Sequence, residues 1–312
     1  MLLKEILDIY NLLDSAHADG NSIKTHLLRI RSDANVEVVP IVTPKGSTDI
    51  IRILVKGKNG RSQNGTAPTI GLMGWLGGIG ARPDAVGYVS DGDGALAALS
   101  VAAKLLDMQK KGDFLEGDVF ISTHVCPDAP TTPHEPVPFM NSPVETWQVN
   151  KEEVTDDLDA VLVVDTTKGN RIINHRGFAI SPTVKEGYIL RVSEDLLDVM
   201  ISTTGRLPHV FALSQQDITP YGNGLYHLNS ILQPATATKA PVVGVAVTTE
   251  TTVAGWATGA THLEDLEDAG RFMLEAAKAF GNGLCSFYDE EEFGRIQKLY
   301  GSMEHFQTLG KQ

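Results

Sequence analysis

Acids gather where the apolar runs of this chain end. Asp91 and Asp93 (YVSDGDG) precede a long apolar-faced stretch. His124, Cys126 and Asp128 (STHVCPD) close one short apolar run, and Asp165 (VLVVDTT) closes another. Carboxylates and imidazoles in such positions can hold a divalent ion or pass protons to a substrate. Asp165 is the sharpest of the set. An acid that ends an apolar run must be solvated, paired or metal-bound, because burying it alone is costly.

Each candidate has a plainer reading beside the chemical one. Asp91 is a ligand or a helix N-cap, and Asp93 reads as a cap. His124 shares a strand face with Ser122 and Cys126 by period two, and serves either as a proton carrier or as a hydrogen-bonded core residue. His134 adds to the polar density nearby. Cys126 as a nucleophile needs an adjacent base, and otherwise is a buried thiol. His175 and Arg176, in NHRG after a short strand RIIN, can hold a substrate carboxylate or be a solvated turn. Asp217 in SQQD is a pocket acid or a cap, and His262 belongs to a helix N-terminal turn. Gly74–Gly80 (GWLGGIG) lacks the Lys-Ser/Thr pair of a phosphate loop and reads as a tight turn.

These residues must be positioned by alternating strands and helices. Helical spacing covers residues 2–16, and a second, shorter helix falls at 22–31. Residues 35–44 and 48–55 read as strands, and the Gly/Asn/Ser-rich 57–68 as a surface loop. Buried strands are expected at 69–75, 118–125, 159–164 and 241–248. Helices are expected after Asp93, from about Ser193, over 221–232, over 263–280 with Gly281 as cap, and over 289–306. The proline-rich 127–147 excludes helix and central strand. The pattern specifies an α/β fold: three α/β/α layers around a mostly parallel or mixed sheet. We read 1–312 as a single α/β domain, with its core at 69–280, N-terminal helices and strands in 1–56, and a C-terminal helix at 289–306.

Of the 312 residues, 42% are hydrophobic and 21% charged, with a net charge of −13. No Lys/Arg stripe is present to neutralise phosphates, so a nucleic-acid partner is not expected. No apolar run approaches the length of a membrane span. The opening residues carry Lys4, Glu5 and Asp8 too early for a signal peptide, so a cytoplasmic protein is expected. Two cysteines, Cys126 and Cys285, lie far apart and form no disulfide or zinc pattern.

The ordered set DGDGALAALSVAAKLL, EGDVFISTHVCPD, DAVLVVDTT, SQQD and APVVGVAV resembles the two-metal, zinc-dependent aminopeptidase superfamily over about residues 69–280. Its glutamyl/deblocking branch is the nearer likeness. The chain also resembles an uncharacterised prokaryotic domain-of-unknown-function family of about this length. The superfamily resemblance implies a zinc-peptidase/phosphorylase-like fold, without an inserted second domain, and a tendency to self-associate into a homo-oligomer. It places Asp91 at the metal-bridging position, Asp128 at a ligand position, Asp165 at a third, and Asp217 near the substrate. Where the superfamily has His-x-Asp, this chain has Gly74-Trp75-Leu76-Gly77. Where it has its general base, this chain has Pro127. Where it has a final His, this chain has TTET, with Glu250 as the stand-in.

Two functions follow as expectations. The first is a metal-dependent hydrolase of a small amide, peptide-like or modified amino-acid substrate. Asp91, Asp128, Asp165 and Glu250 would hold zinc, manganese or magnesium, and His124 would carry the proton. A carboxylate-rich set favours manganese or magnesium. The alternative is a catalytically lapsed small-molecule binder or assembly subunit that keeps the fold.

Overall fold

The computed structural model describes residues 1–75, 78–133, 139–214, 228–252 and 260–310. Two N-terminal helices, α1 (Leu3–Leu13) and α2 (Gly20–Ile30), lead into a hairpin of β1 (Asn35–Thr43) and β2 (Gly46–Val55). There follow β3 (Ile70–Gly74), α3 (Asp93–Lys110), β4 (Val119–Val125), the short pair β5 (Thr131–Thr132) and β6 (Phe139–Met140), α4 (Thr146–Glu153) and β7 (Ala160–Thr166). The second half holds β8 (Gly177–Ile180), β9 (Val184–Lys185), β10 (Tyr188–Ile189), α5 (Glu194–Thr204), a 3-10 helix (Ser230–Thr236), β11 (Val242–Thr248), α6 (Leu263–Gly281) and α7 (Glu290–Tyr300).

Among the described residues, nine strands form one mixed sheet in the order β1-β2-β4-β3-β7-β11-β9-β10, with β8 also on β11. The four central strands, β4, β3, β7 and β11, are mutually parallel; β2, β8 and β9 pair with them antiparallel, and β1 and β10 pair antiparallel with β2 and β9 at the edges. Parallel strands need cover on both faces, which is why these four are continuous apolar runs. One face is covered by α1, α2, α3, α5 and α6 through a large cluster that includes Leu72, Leu99, Ile121, Leu162, Val245 and Phe272. The other is covered by α4 and the 3-10 helix around Met73, Phe120, Val149, Val163 and Ile231. Full burial of one such side chain is worth about 1.5–3 kcal/mol. The expected α/β layering is therefore what the chain adopts.

Several local expectations are corrected. RIIN is not a strand; it approaches β8 as bends, and Ile172 is exposed. The terminal helix stops at Tyr300, because Gly301 takes a φ of +83°. Gly281 is the last residue of α6 rather than its cap, and the left-handed position falls on Gly283. The expected 221–232 helix lies largely outside the described residues; from Ser230 the chain is 3-10, with Pro234 inside it. No described helix is long and apolar enough to cross a membrane.

Candidate active site

The connection leaving β3 runs to β4 on one side, and the one leaving β7 runs to β11 on the other. The carboxyl ends of β3 and β7 are therefore the topological switch point of the sheet, the place where open α/β sheets form a crevice for ligands. The start of α3 closes tightly over it. A Cβ on Gly94 would come within 2.6 Å of the carbonyls of Trp75 and Val164, and one on Gly74 within 2.5 Å of the Gly94 carbonyl. Only glycines allow this approach, and it brings Asp91 and Asp93 to the ends of β3 and β7.

Asp165 follows Val164 in β7 and is 7% exposed. Its Oδ1 accepts the Thr166 N–H at 2.7 Å. Burial, then the charge of Asp91, holds its carboxyl well above the usual carboxylate range; Asp93 adds to this, while Thr166 and the Ser230 hydroxyl oppose it. Thr166 Oγ1 donates to the Ser90 carbonyl at 2.6 Å, lacing the loop before α3 onto the exit of β7. Asp91 and Asp165 are thus close enough to feel each other's charge.

Asp93 is not the cap the sequence led us to expect. Gly92 is the N-cap, and Asp93, fully buried, accepts Lys168 Nζ at 2.9 Å and Thr261 Oγ1 at 2.7 Å. The Lys168 side chain is 5% exposed, so this is a buried ion pair at the mouth of the crevice. Desolvation still pushes Asp93 upward, against Lys168 and Thr261. Two hydroxyls at the same end of the sheet, Ser90 Oγ in the 3-10 turn before α3 and Thr248 Oγ1 at the end of β11, are buried and have no hydrogen-bond partner among the described residues. Such groups in a native fold call for a ligand or an ordered water.

His124 is 1% exposed, and its Nδ1 lies 2.9 Å from Glu153 Oε1 at the end of α4. Glu153 is fully buried; burial raises its pKa, and His124 opposes the rise. Glu153 Oε2 has no partner among the described residues. The Trp75 ring meets the His124 ring edge-on, with centroids 6.4 Å apart. Extending the registers Gly74↔Thr123 and Gly74↔Val164 puts His124, Trp75 and Asp165 in one row on one face. Two inter-strand steps then separate His124 from Asp165, about 10 Å.

The other sequence candidates lie elsewhere. Asp91, Asp128, Asp165 and Glu250 do not meet as one ligand set: among the described residues, no group of three His, Cys, Asp or Glu could hold a metal ion. Asp128 is exposed in a loop that bridges to Ala81. Glu250 is exposed on the turn after β11, where Thr249 Oγ1 donates to the Thr251 carbonyl. His175 stacks on His209 at 3.7 Å and 17°, with Nε2 3.3 Å from the Phe178 carbonyl. Burial, then His209, lowers its pKa. Arg176 is already ion-paired to Glu264 and Asp265. His262 precedes α6, with Nδ1 3.3 Å from Asp265 Oδ2. Cys126 is buried and its thiol is pushed up to about 11, chiefly by that burial, which argues against a nucleophile. Asp217 and His134 lie outside the described residues.

A family model described as "Protein of unknown function (DUF1177)" matches residues 40–310. The chain belongs to that family. No curated protein matches the DUF1177 chain. Solved structures that resemble it include a glutaminyl cyclase from an Acidobacteriales bacterium, at 14% identity and a TM-score of 0.49, covering 90% of this chain and 94% of that one. The TET aminopeptidase of Thaumarchaeota archaeon SCGC AB-539-E09 gives 12% identity and a TM-score of 0.49, covering 90% and 99%. The LapA aminopeptidase of Legionella pneumophila gives 12% and 0.49, covering 92% and 71%.

Lys168, Thr261 and Glu153 were not singled out from the sequence. The one signal for Lys168 was its place three residues after Asp165 at a strand exit. Nothing marked Glu153, because α4 (TWQVNKEE) is too polar to show a helical stripe.

Proposed function

We propose that the crevice between β3 and β7 binds a small polar substrate and hydrolyses an amide or peptide-like bond in it, aided by a hard divalent ion held by Asp91 and Asp165. The observation that carries this reading is the buried carboxyl of Asp165 beside the charge of Asp91, with the Ser90 and Thr248 hydroxyls, unpartnered among the described residues, at the same end of the sheet. Two like charges in a desolvated site need a cation or a shared proton between them. The donor set also decides which ion fits. A closed zinc centre wants three protein ligands or more, which the described residues do not bring together. Magnesium or manganese binds through one or two carboxylates and completes its shell with water and substrate.

When bound, such an ion supplies Lewis acidity toward a carbonyl. The rest of the work falls to the chain. Ser90 and Thr248 offer hydroxyls to polar groups of the substrate. Lys168, held on Asp93, keeps one carboxyl of the rim compensated. His124 is the proton carrier, and Glu153 fixes the Nδ1 side of its ring.

The test is a screen of amide and peptide substrates by mass spectrometry with magnesium or manganese present. Release of an amine by the wild type, lost in Asp165→Asn, is expected. Turnover that is unchanged in Asp165→Asn and Asp91→Asn defeats the proposal. A second reading, a binder without turnover, is supported by the buried Asp93–Lys168 pair, which already supplies one cation to the rim. Ligand-induced stabilisation without turnover across the screen would favour it.

A further inference from the structure

At the end of the sheet opposite the rim, a cavity of about 350 Å³ opens between the α2–β1 turn, the end of β2 and the end of α3. Arg31, Lys56, Lys58, Gln63, Gln109 and Phe114 are part of its wall. Asp33 is the one carboxylate among the described lining residues, so three cations face a single acid. In a chain with a net charge of −13, this is a local inversion of sign.

The guanidinium of Arg31 is set in place from three sides. Its Nε donates to Asp33 Oδ1 at 2.7 Å and its Nη2 to Asp33 Oδ2 at 3.1 Å. Its Nη1 donates to Gln109 Oε1, and the group stands 5.4 Å from the centre of the Phe114 ring. Gln109 is itself held, since its Nε2 donates to the Lys56 carbonyl at 2.7 Å. Arginine carries five N–H donors, so this fixed fork keeps donors free on its Nη edge. Lys56 and Lys58 line the same cavity, and the Lys56 charge reaches Asp33. Neither Lys56 nor Lys58 forms an ion pair among the described residues.

We propose that this cavity binds a small polyanion, a metabolite bearing phosphate or several carboxylates, with Arg31 as the oriented fork and Lys56 and Lys58 closing on it. The volume lies at the small end of the range for ligand pockets, about 300–1,000 Å³. Asp33 orients the arginine and leaves its outward donors to the ligand. The site is independent of the crevice at the other end of the sheet.

Isothermal titration with pyrophosphate and with citrate tests it, on the wild type and on the Lys56→Glu/Lys58→Glu double variant. Both lysines are exposed, so the variant should fold, which far-UV circular dichroism checks. We expect saturable binding of at least one probe with Kd below about 1 mM. In the double variant it should weaken at least about tenfold, and in both it should weaken with added salt. Pyrophosphate alone would identify a phosphate-bearing ligand, and citrate alone a multicarboxylate. Because such anions stabilise most proteins non-specifically, a thermal shift counts only as a difference between wild type and variant. No saturable binding of either probe, or equal binding by the variant, overturns the proposal.

Discussion

Two buried aspartates, at opposite ends of the same sheet, are built in opposite ways. Asp118, just before β4, is 2% exposed and fully employed. Its Oδ1 accepts the Gly57 N–H and the Ser62 hydroxyl, each at 2.8 Å, and its Oδ2 accepts the Ser62 N–H at 2.8 Å. The loop closes on it so tightly that a Cβ on Gly60 would sit 2.0 Å from Oδ1. Asp165, at the far end, has one backbone donor and the Ser230 hydroxyl, and faces the like charges of Asp91 and Asp93. A carboxylate wrapped in donors holds a loop to a strand. A carboxylate left under-provided and crowded by its own sign does no comparable holding, and such a group is a candidate for binding or reaction.

The comparison is most sharply broken by removing counter-charge. Lys168→Met strands the buried Asp93 with Thr261 alone, and should cost about 3–5 kcal/mol in chemical denaturation. Asp118→Ala leaves the Gly57 and Ser62 amides without their acceptor and should cost about 2–4 kcal/mol. If instead it is neutral, the structural half of the contrast fails. His124→Ala takes from Glu153 Oε1 its partner, beside an Oε2 that has none among the described residues, and should cost about 1–3 kcal/mol by the same measure.

Asp165→Asn should go the other way. Burial and like charge raise its folded-state pKa, so above the ordinary carboxylate range the unfolded chain ionises freely while the folded one resists. Stability is therefore lost as pH rises from the unfolded value toward the raised folded one. The asparagine removes that loss while keeping an acceptor for Thr166. We expect a gain of about 0.5–2 kcal/mol at pH 8, a usual size for relieving a functional position, that vanishes near pH 4. A loss at pH 8 would place Asp165 with Asp118. Smallest of all, Asp128→Asn and Glu250→Gln, both exposed, should stay within about 0.5 kcal/mol.

The frame of this arrangement was legible in the sequence because its signals are local. The runs that form β3, β4, β7 and β11 are continuous and apolar, and α3 and α6 carry long apolar stripes. Asp165 stood out because it ends such a run. What escaped depends on contacts across the chain. Asp93 looked like a cap, since a helix begins there, and its bond to Lys168 spans 75 residues of sequence. Glu153 lies on a polar helix that packs only because the second face of the sheet needs cover. Asp128 and Asp165 both end apolar runs, yet one loop turns its acid outward and the other strand end turns it under a 3-10 helix. Periodicity carries no information about that choice.

The central claim is that Asp91 and Asp165 form one cation-demanding pair. Titration of manganese into the wild type, Asp165→Asn and Asp128→Asn, followed by calorimetry, tests it most directly. The account predicts one saturable site in the wild type, weakened at least about tenfold in Asp165→Asn and intact in Asp128→Asn. Identical manganese binding in all three proteins, or none in any, would contradict it.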